Sequence, residues 1–434
     1  MKKLLGLALV MALFVPANAQ ILDNVETYGE IEILGVNHTN YSYGLSNSDY
    51  RNTQVRVIYG LGFDLLDDVR ANITFLNEDK YWGEAVPADG NNTVQKTDSI
   101  NGYLDSIQVA EANIAMEDVF WSWSAKLGRQ FYGDEHSFVI YYGPTHGAEM
   151  GNNARPTTFL DAAVFNYEGM NTMANILYGK TTESSFVNDT GGDISFLGIE
   201  GQYMPTEEWT FKAHVYDRRT NSQTGPYADT STNAKHIGIY GIMAAYEGNN
   251  WMIDAEYNKN YGGKAIFTND FKADMFDFNA AYTWEASSSV WTPRLEYLDI
   301  DGGTVTSHEA KKFITFNSQG IRRGMIFGNS ILAPTAQFEM WNFGLDAKFD
   351  KAEDFRFGLD YFTFADNNVA TNEDIGTEWD LMAYYDYSEN ITFNAGAARM
   401  SWKSSYASVS ATDNNKSHKL QAGEIGRASC RERV

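Results

Sequence analysis

Residues 341–349 read WNFGLDAKF, 355–361 read FRFGLDY, 379–387 read WDLMAYYDY and 391–402 read ITFNAGAARMSW. In the first run Trp341, Phe343, Leu345, Ala347 and Phe349 alternate with Asn342, Gly344, Asp346 and Lys348. In the third, Trp379, Leu381, Ala383, Tyr385 and Tyr387 alternate with Asp380, Met382, Tyr384 and Asp386. A period of two sends the two sets to opposite faces of an extended strand. Tight polar turns (350–354, then Glu389-Asn390) separate some runs, and a longer polar loop separates others. One apolar face, one polar face, aromatics towards strand ends and connections that alternate short and long mark a transmembrane β-barrel. The fold class expected is therefore all-β, an antiparallel up-and-down barrel crossing a membrane.

The ends of the chain agree with an exported protein. Met1, Lys2 and Lys3 form a basic start, residues 4–15 an apolar stretch, and Ala17-Asn18-Ala19 a small-residue cleavage site. Residues 1–19 thus read as a secretory signal peptide, too short to span a bilayer. No later apolar run is long enough for a transmembrane helix, so a sheet in lipid must close on itself. Residues 424–434, EIGRASCRERV, break both the alternation and the acidic composition. They hold Arg427, Arg431, Arg433 and the single cysteine, Cys430. This segment resembles a translated sequencing-library adapter. Without it the chain has no cysteine, which suits an oxidising export route. The expected layout is a signal peptide at 1–19, a barrel at 20–423 and a foreign tail at 424–434.

The formal net charge is −24. So acidic a chain is a poor nucleic-acid binder, because phosphate affinity comes from clustered Lys and Arg.

Alternating runs precede the four above at 25–38, 53–66, 69–80, 102–116, 119–131, 161–168, 173–182, 194–204, 209–220, 235–247, 251–261, 271–284 and 290–300. The total is roughly seventeen. Bacterial outer-membrane barrels use even strand numbers. An eighteen-stranded native barrel follows, its closing strand lost where residues 403–419 climb outward as a loop and the tail begins.

Side chains cannot fill so wide a bore, so it should hold water and whatever passes. Parity sends inward the bases Arg56, Arg70, Lys126, Lys212, Arg218, Arg294, Lys348 and Arg356. It also sends inward the acids Asp254, Glu256, Asp277, Glu296, Asp346, Asp360, Asp380 and Asp386, with Glu30, Glu32 and Asp64. Rows of both signs favour polar solutes over lipid-like ones. Any one of these residues reads first as a solvated, mutually paired wall; only the group argues for an aqueous pore. Trp121, Trp209, Trp251, Trp291, Trp341 and Trp379 lie near strand ends on the outward face and fit a girdle at headgroup level. Two long excursions, 132–160 with Asp134, His146 and Arg155, and 301–338 with Arg322 and Arg323, either lie exposed or fold into the bore.

Leu127-Gly128-Arg129-Gln130, Gly133-Asp134, Arg155 and Phe159-Leu160-Asp161-Ala162 resemble the GRQ…GD…R…FDA pattern of the alginate-export-like outer-membrane porins. Residues 320–328 and Gly376-Thr377-Glu378-Trp379-Asp380 are similar to later segments of that family. The resemblance implies an eighteen-stranded barrel and, in the exporter, an arginine-rich constriction that passes an anionic polysaccharide. Arg129, Arg155, Arg322 and Arg323 would hold that role. The inward acids depart from it, since they would repel a polyuronate. By parity Arg129 points towards lipid near the outer interface, unless a bulge at Gly128 turns it inward.

The chain carries no zincin, nucleophile-elbow, P-loop or dinucleotide signature, and its seven histidines show no ligand spacing. Neither an enzyme nor a metal or cofactor is expected. The expected partners are outer-membrane lipid and small hydrophilic solutes. Export of an acidic polysaccharide, or a barrel acting as a surface receptor or adhesin, are the alternatives.

Overall fold

The structure is a computed structural model that describes residues 23–39, 50–79, 107–146, 157–182, 194–220, 236–262, 270–302, 309–310, 313–316, 323–329, 338–350, 352–367, 374–403 and 416–431. The proposed signal peptide lies outside them. The barrel strands in chain order are β1 (Asp23–Thr39), β2 (Tyr50–Leu66), β3 (Val69–Asp79), β4 (Gln108–Phe120), β5 (Trp123–Gln130) and β6 (Leu160–Glu168). There follow β7 (Thr172–Thr182), β8 (Ile194–Tyr203), β9 (Trp209–Thr220), β10 (His236–Gly248), β11 (Trp251–Gly262) and β12 (Asp274–Tyr282). The set is completed by β13 (Ser289–Ile300), β14 (Phe338–Phe349), β15 (Ala352–Asp366), β16 (Asp374–Ser388), β17 (Ile391–Trp402) and β18 (Lys416–Arg431). A short segment, Trp284–Ala286, prolongs the β12–β13 hairpin.

Each strand pairs antiparallel with its sequence neighbours, and β18 pairs with β1 from Glu26↔Arg431 to Thr39↔His418. The result is a closed barrel of eighteen strands. Closure leaves no unpaired strand edge, the condition a sheet must meet in hydrocarbon. The expected loss of the closing strand is thus corrected. Residues 416–419, read as the end of a loop, join 420–423 in a period-two pattern of their own, with Ser417, Lys419 and Gln421 buried and His418, Leu420 and Ala422 exposed. Residues 424–431 extend the same strand, since ladder hydrogen bonds use backbone groups and tolerate almost any side chain.

Tight turns close one end of the barrel, at Asp67-Asp68, Trp121-Ser122, Asn249-Asn250 and Glu389-Asn390 among others. The break expected between the runs 102–116 and 119–131 is a bulge, with positive φ at Asp118 and a register shift between Met116 and Phe120. The hairpin therefore reverses at Trp121. On the outer wall Ile31, Ile199, Ile242, Phe343, Leu345, Leu359 and Leu381 are exposed, in line with the parity reading.

Aromatic rings bracket this apolar band at two levels. Towards the tight turns stand Trp121, Trp209 against Tyr246 at 5.1 Å, Trp251 against Tyr282 at 4.8 Å and Trp291 against Phe349 at 5.7 Å. Towards the long loops stand Trp341 against Tyr297 at 4.6 Å and Trp379 against Tyr361 at 4.5 Å. On β16 the band from Trp379 to Tyr387 is about 27 Å of strand, or about 20 Å along the barrel axis at a tilt near 40°. That height suits the hydrocarbon layer of an outer membrane.

Candidate functional site: a bore half dry and half wet

An apolar cluster occupies much of the long-loop half of the bore among the described residues. Many inward residues there are apolar: Leu160, Leu177, Phe196, Ile237, Ile239, Met275, Leu298, Ile300, Phe338, Met340, Phe362, Phe364, Met400 and Trp402 are all buried. Phe138, Val139, Ile140, Tyr142, Phe313, Phe316, Met325, Ile326 and Phe327, from the two long excursions, pack onto them. Both excursions thus reach into the bore, the second of the two paths left open by the sequence, and the broad watery lumen expected there is narrowed by an apolar cluster in its upper half. The wall pattern makes this necessary, because phenylalanine and isoleucine facing an aqueous channel would waste their transfer free energy.

The first excursion is held by polar anchors. Tyr132–Gly133 pairs with Tyr141–Tyr142, and positive φ at Gly133 admits the backbone there. Asp134 accepts the His136 amide at 2.8 Å, so it stabilises a turn within the loop. His146 bonds Glu135 through Nδ1 at 2.7 Å and Glu30 of β1 through Nε2 at 3.1 Å. Arg56 of β2 donates to the Thr145 carbonyl at 2.6 Å while paired with Glu30 at 3.1 Å and Glu32 at 2.8 Å. Burial on its own would lower the His146 pKa, but its bonds to Glu135 and Glu30 and their charges outweigh that and raise it to about 9.

The second excursion joins the first and the far wall. Phe316 donates its amide to Val139 at 2.7 Å, and Asn260 of β11 brackets Ile314, accepting its amide at 2.8 Å and donating to its carbonyl at 3.0 Å. Residues 323–329 fold over three charged side chains. Asp380 accepts the Met325 amide at 2.7 Å; Glu378 accepts those of Ile326 at 2.6 Å and Phe327 at 2.9 Å. Lys419 of β18 donates to the Met325 carbonyl at 3.1 Å. The Phe327 ring stacks on Phe364 at 4.1 Å. Gly324 has φ +79 and lies so close to Glu378 that a Cβ would come within 2.7 Å of its carboxylate.

Towards the tight turns the bore is polar. A cavity of about 770 Å³ is lined by Arg294, Arg323, Lys348 and Arg356 with Glu135, Glu296, Asp346, Asp360 and Asp380. A second, of about 620 Å³, is lined by Lys212 and Arg323 with Asp134, Glu168, Glu200, Asp254, Glu256 and Asp277. Both are bordered by His136 and Arg323. Arg323 pairs with Glu296 and lies over the Phe138 ring at 5.1 Å. Arg294 bridges Asp346 at 2.6 Å and Asp360 at 3.0 Å, and Arg356 pairs with Asp386 at 3.2 Å. Elsewhere on the inner wall Arg70 pairs with Asp64 and Glu26, Lys126 with Glu111, and Arg218 lies over Phe316.

The structure therefore brings Arg294, Glu296, Asp346, Lys348, Arg356, Asp360 and Asp380 together with Arg323. Arg129 stands apart: it lies on the outer wall, bonded to Asp161 at 2.8 and 3.1 Å, with Phe159 beneath its guanidinium. Gly128 takes φ +122 without reversing the parity of its neighbour, so Arg129 does not line the bore. Arg155 and Arg322 lie outside the described residues. Sequence reasoning missed Glu200, Glu378, Lys419 and the anchoring roles of Glu135 and His146. Glu200 and Glu378 share parity with the inward Phe196 and Asp380 and could have been found; Lys419 was hidden in a segment read as loop.

No family model matches the sequence. No curated protein matches it either, so the alginate-export-like resemblance gains no support. Solved structures do resemble it. The outer membrane protein OprD from Pseudomonas aeruginosa superposes with a TM-score of 0.57 at 13% identity, covering 95% of this chain and 95% of its own. OccK8 (OprE) from Pseudomonas aeruginosa gives 0.55 at 9% identity over 94% and 98%. A BenF-like porin from Pseudomonas fluorescens Pf-5 gives 0.55 at 9% identity over 94% and 100%. The chain has an outer-membrane porin fold. Within that porin fold the two inserted excursions narrow the bore and leave charged cavities below them.

Proposed function

We propose that this chain is an outer-membrane porin through which small hydrophilic solutes diffuse, exported with residues 1–19 as a cleavable signal. The observation that carries this is the pairing of a wet, two-signed inner wall with an apolar, aromatic-bracketed outer wall on the same strands. Carboxylates outnumber bases around both cavities. A field of that sign concentrates cations, so cation preference is the expected selectivity. The same excess, with Arg129 on the outer wall, speaks against export of an acidic polysaccharide.

The test is single-channel recording of the full chain in a planar bilayer. Ion current with cation preference, reduced by Asp254→Asn with Glu256→Gln, is the result expected. Absence of current under every condition would favour a surface receptor, and anion preference would return the exporter to consideration.

A further inference from the structure

The lipid-facing wall carries an uneven distribution of charge at its long-loop rim. Trp379, Arg399 and His418 are register partners on β16, β17 and β18, and all three are exposed. One step nearer the loops Ser401 pairs with Lys416, and Lys403 follows the end of β17. On β2 the exposed Arg51 donates to Asn37 of β1 at 3.2 Å, and Asn37 is the register partner of Leu420 on β18. These basic side chains sit on neighbouring strands of a chain whose formal net charge is −24. The carboxylate of Asp374 lies 3.9 Å from Lys403, while Thr39, Thr53, Thr377 and Ser401 give the arc neutral polar groups. Elsewhere among the described residues of the rim Arg129 stands beside Asp161 and Lys259 beside Asp274 at 2.9 Å.

The depth of the arc is set by Trp379. An indole on a barrel wall sits at headgroup level, and Arg399 lies beside it in the same row. A guanidinium there meets lipid phosphates, whose oxygens fit its paired N–H groups. Side chains on adjacent strands stand about 4.8 Å apart, so several can reach one headgroup.

We propose that this arc binds the phosphorylated sugar headgroup of an outer-leaflet glycolipid, with Arg399 at its centre. The proposal rests on the outer-membrane reading and goes beyond it, since it concerns the wall and not the bore. Its test uses the full chain folded in neutral detergent and titrated with bisphosphorylated lipid A, the same lipid freed of phosphate, or inorganic phosphate. The readout is the midpoint of heat-modifiable gel mobility. The phosphorylated lipid should raise that midpoint and the other two should not. Arg399→Leu, a change compatible with a lipid-facing site, should weaken the effect tenfold or more, and Arg399→Lys should retain part of it. Equal stabilisation by the phosphate-free lipid, reproduction by inorganic phosphate, or an unaltered response of Arg399→Leu would overturn the assignment. Conductance of the same variant, expected to equal that of the unaltered chain, reports on the pore separately.

Discussion

Lys419 donates to the carbonyl of Met325 at 3.1 Å and so ties the closing strand to the second excursion where it folds into the bore. Its ammonium lies with Glu378 and Asp380, which hold the amides of Met325, Ile326 and Phe327. Replacing it by methionine keeps the volume but leaves buried carboxylates without their cation. Lys419→Met should cost about 3–5 kcal/mol of folding stability, the usual penalty for stripping one partner from a buried ionic group. Release of residues 323–329 should also raise unit conductance. Urea unfolding in vesicles and single-channel recording check the two effects; normal values for both would mean that apolar packing alone seats the loop.

Arg294 covers two carboxylates at once, Asp346 at 2.6 Å and Asp360 at 3.0 Å. Arg294→Ala uncovers both in the larger cavity. Reversal potentials under a salt gradient should move towards stronger cation preference, and the change should shrink as ionic strength rises. A shift towards anions would place the site outside the conducting path.

Leu359 lies on the outer wall in the middle of β15, exposed and flanked by the inward Gly358 and Asp360. Leu359→Arg puts a cation at the centre of the apolar band, where a lipid-facing arginine costs about 2–4 kcal/mol. Denaturant titration of the barrel folded into phospholipid vesicles measures this directly. A neutral outcome would argue that this face meets water or another subunit in place of lipid.

His146 makes the first excursion sensitive to alkaline pH. Its pKa is raised, from an ordinary value near 6.5 to about 9, so the bonds to Glu135 and Glu30 stabilise the folded form fully below about 6.5. That contribution is lost as pH rises through about 9, the reverse of the usual carboxylate case. Amide exchange of residues 137–146 should quicken between pH 7 and pH 10 beyond the intrinsic base catalysis, and His146→Asn should abolish the extra step.

What could be read in advance followed from local rules. The alternation at 341–349 and 379–387 gave strand faces without tertiary information, because one membrane and one bore impose the same two environments on every strand. The filling of the bore depends on where two loops go, and loop path has no period to read. Even so, a trace existed. Phe362, Phe364, Ile237, Ile239, Leu298 and Ile300 are apolar on the supposedly wet face, and all lie nearer the long loops than the tight turns. Lys419 stayed hidden because Lys416, Ser417 and His418 look like surface loop until pairing with β17 and β1 sets their direction.

The apolar floor beneath the long loops also removes any equivalence between the two directions of travel. An ion coming from the tight-turn mouth is first gathered by charge and then resisted, whereas one coming from the opposite mouth meets the resistance before the gathering. Such a profile acts as a rectifier: currents of equal and opposite driving voltage should differ in size, and the sense of that difference would reveal which way round a single barrel has inserted.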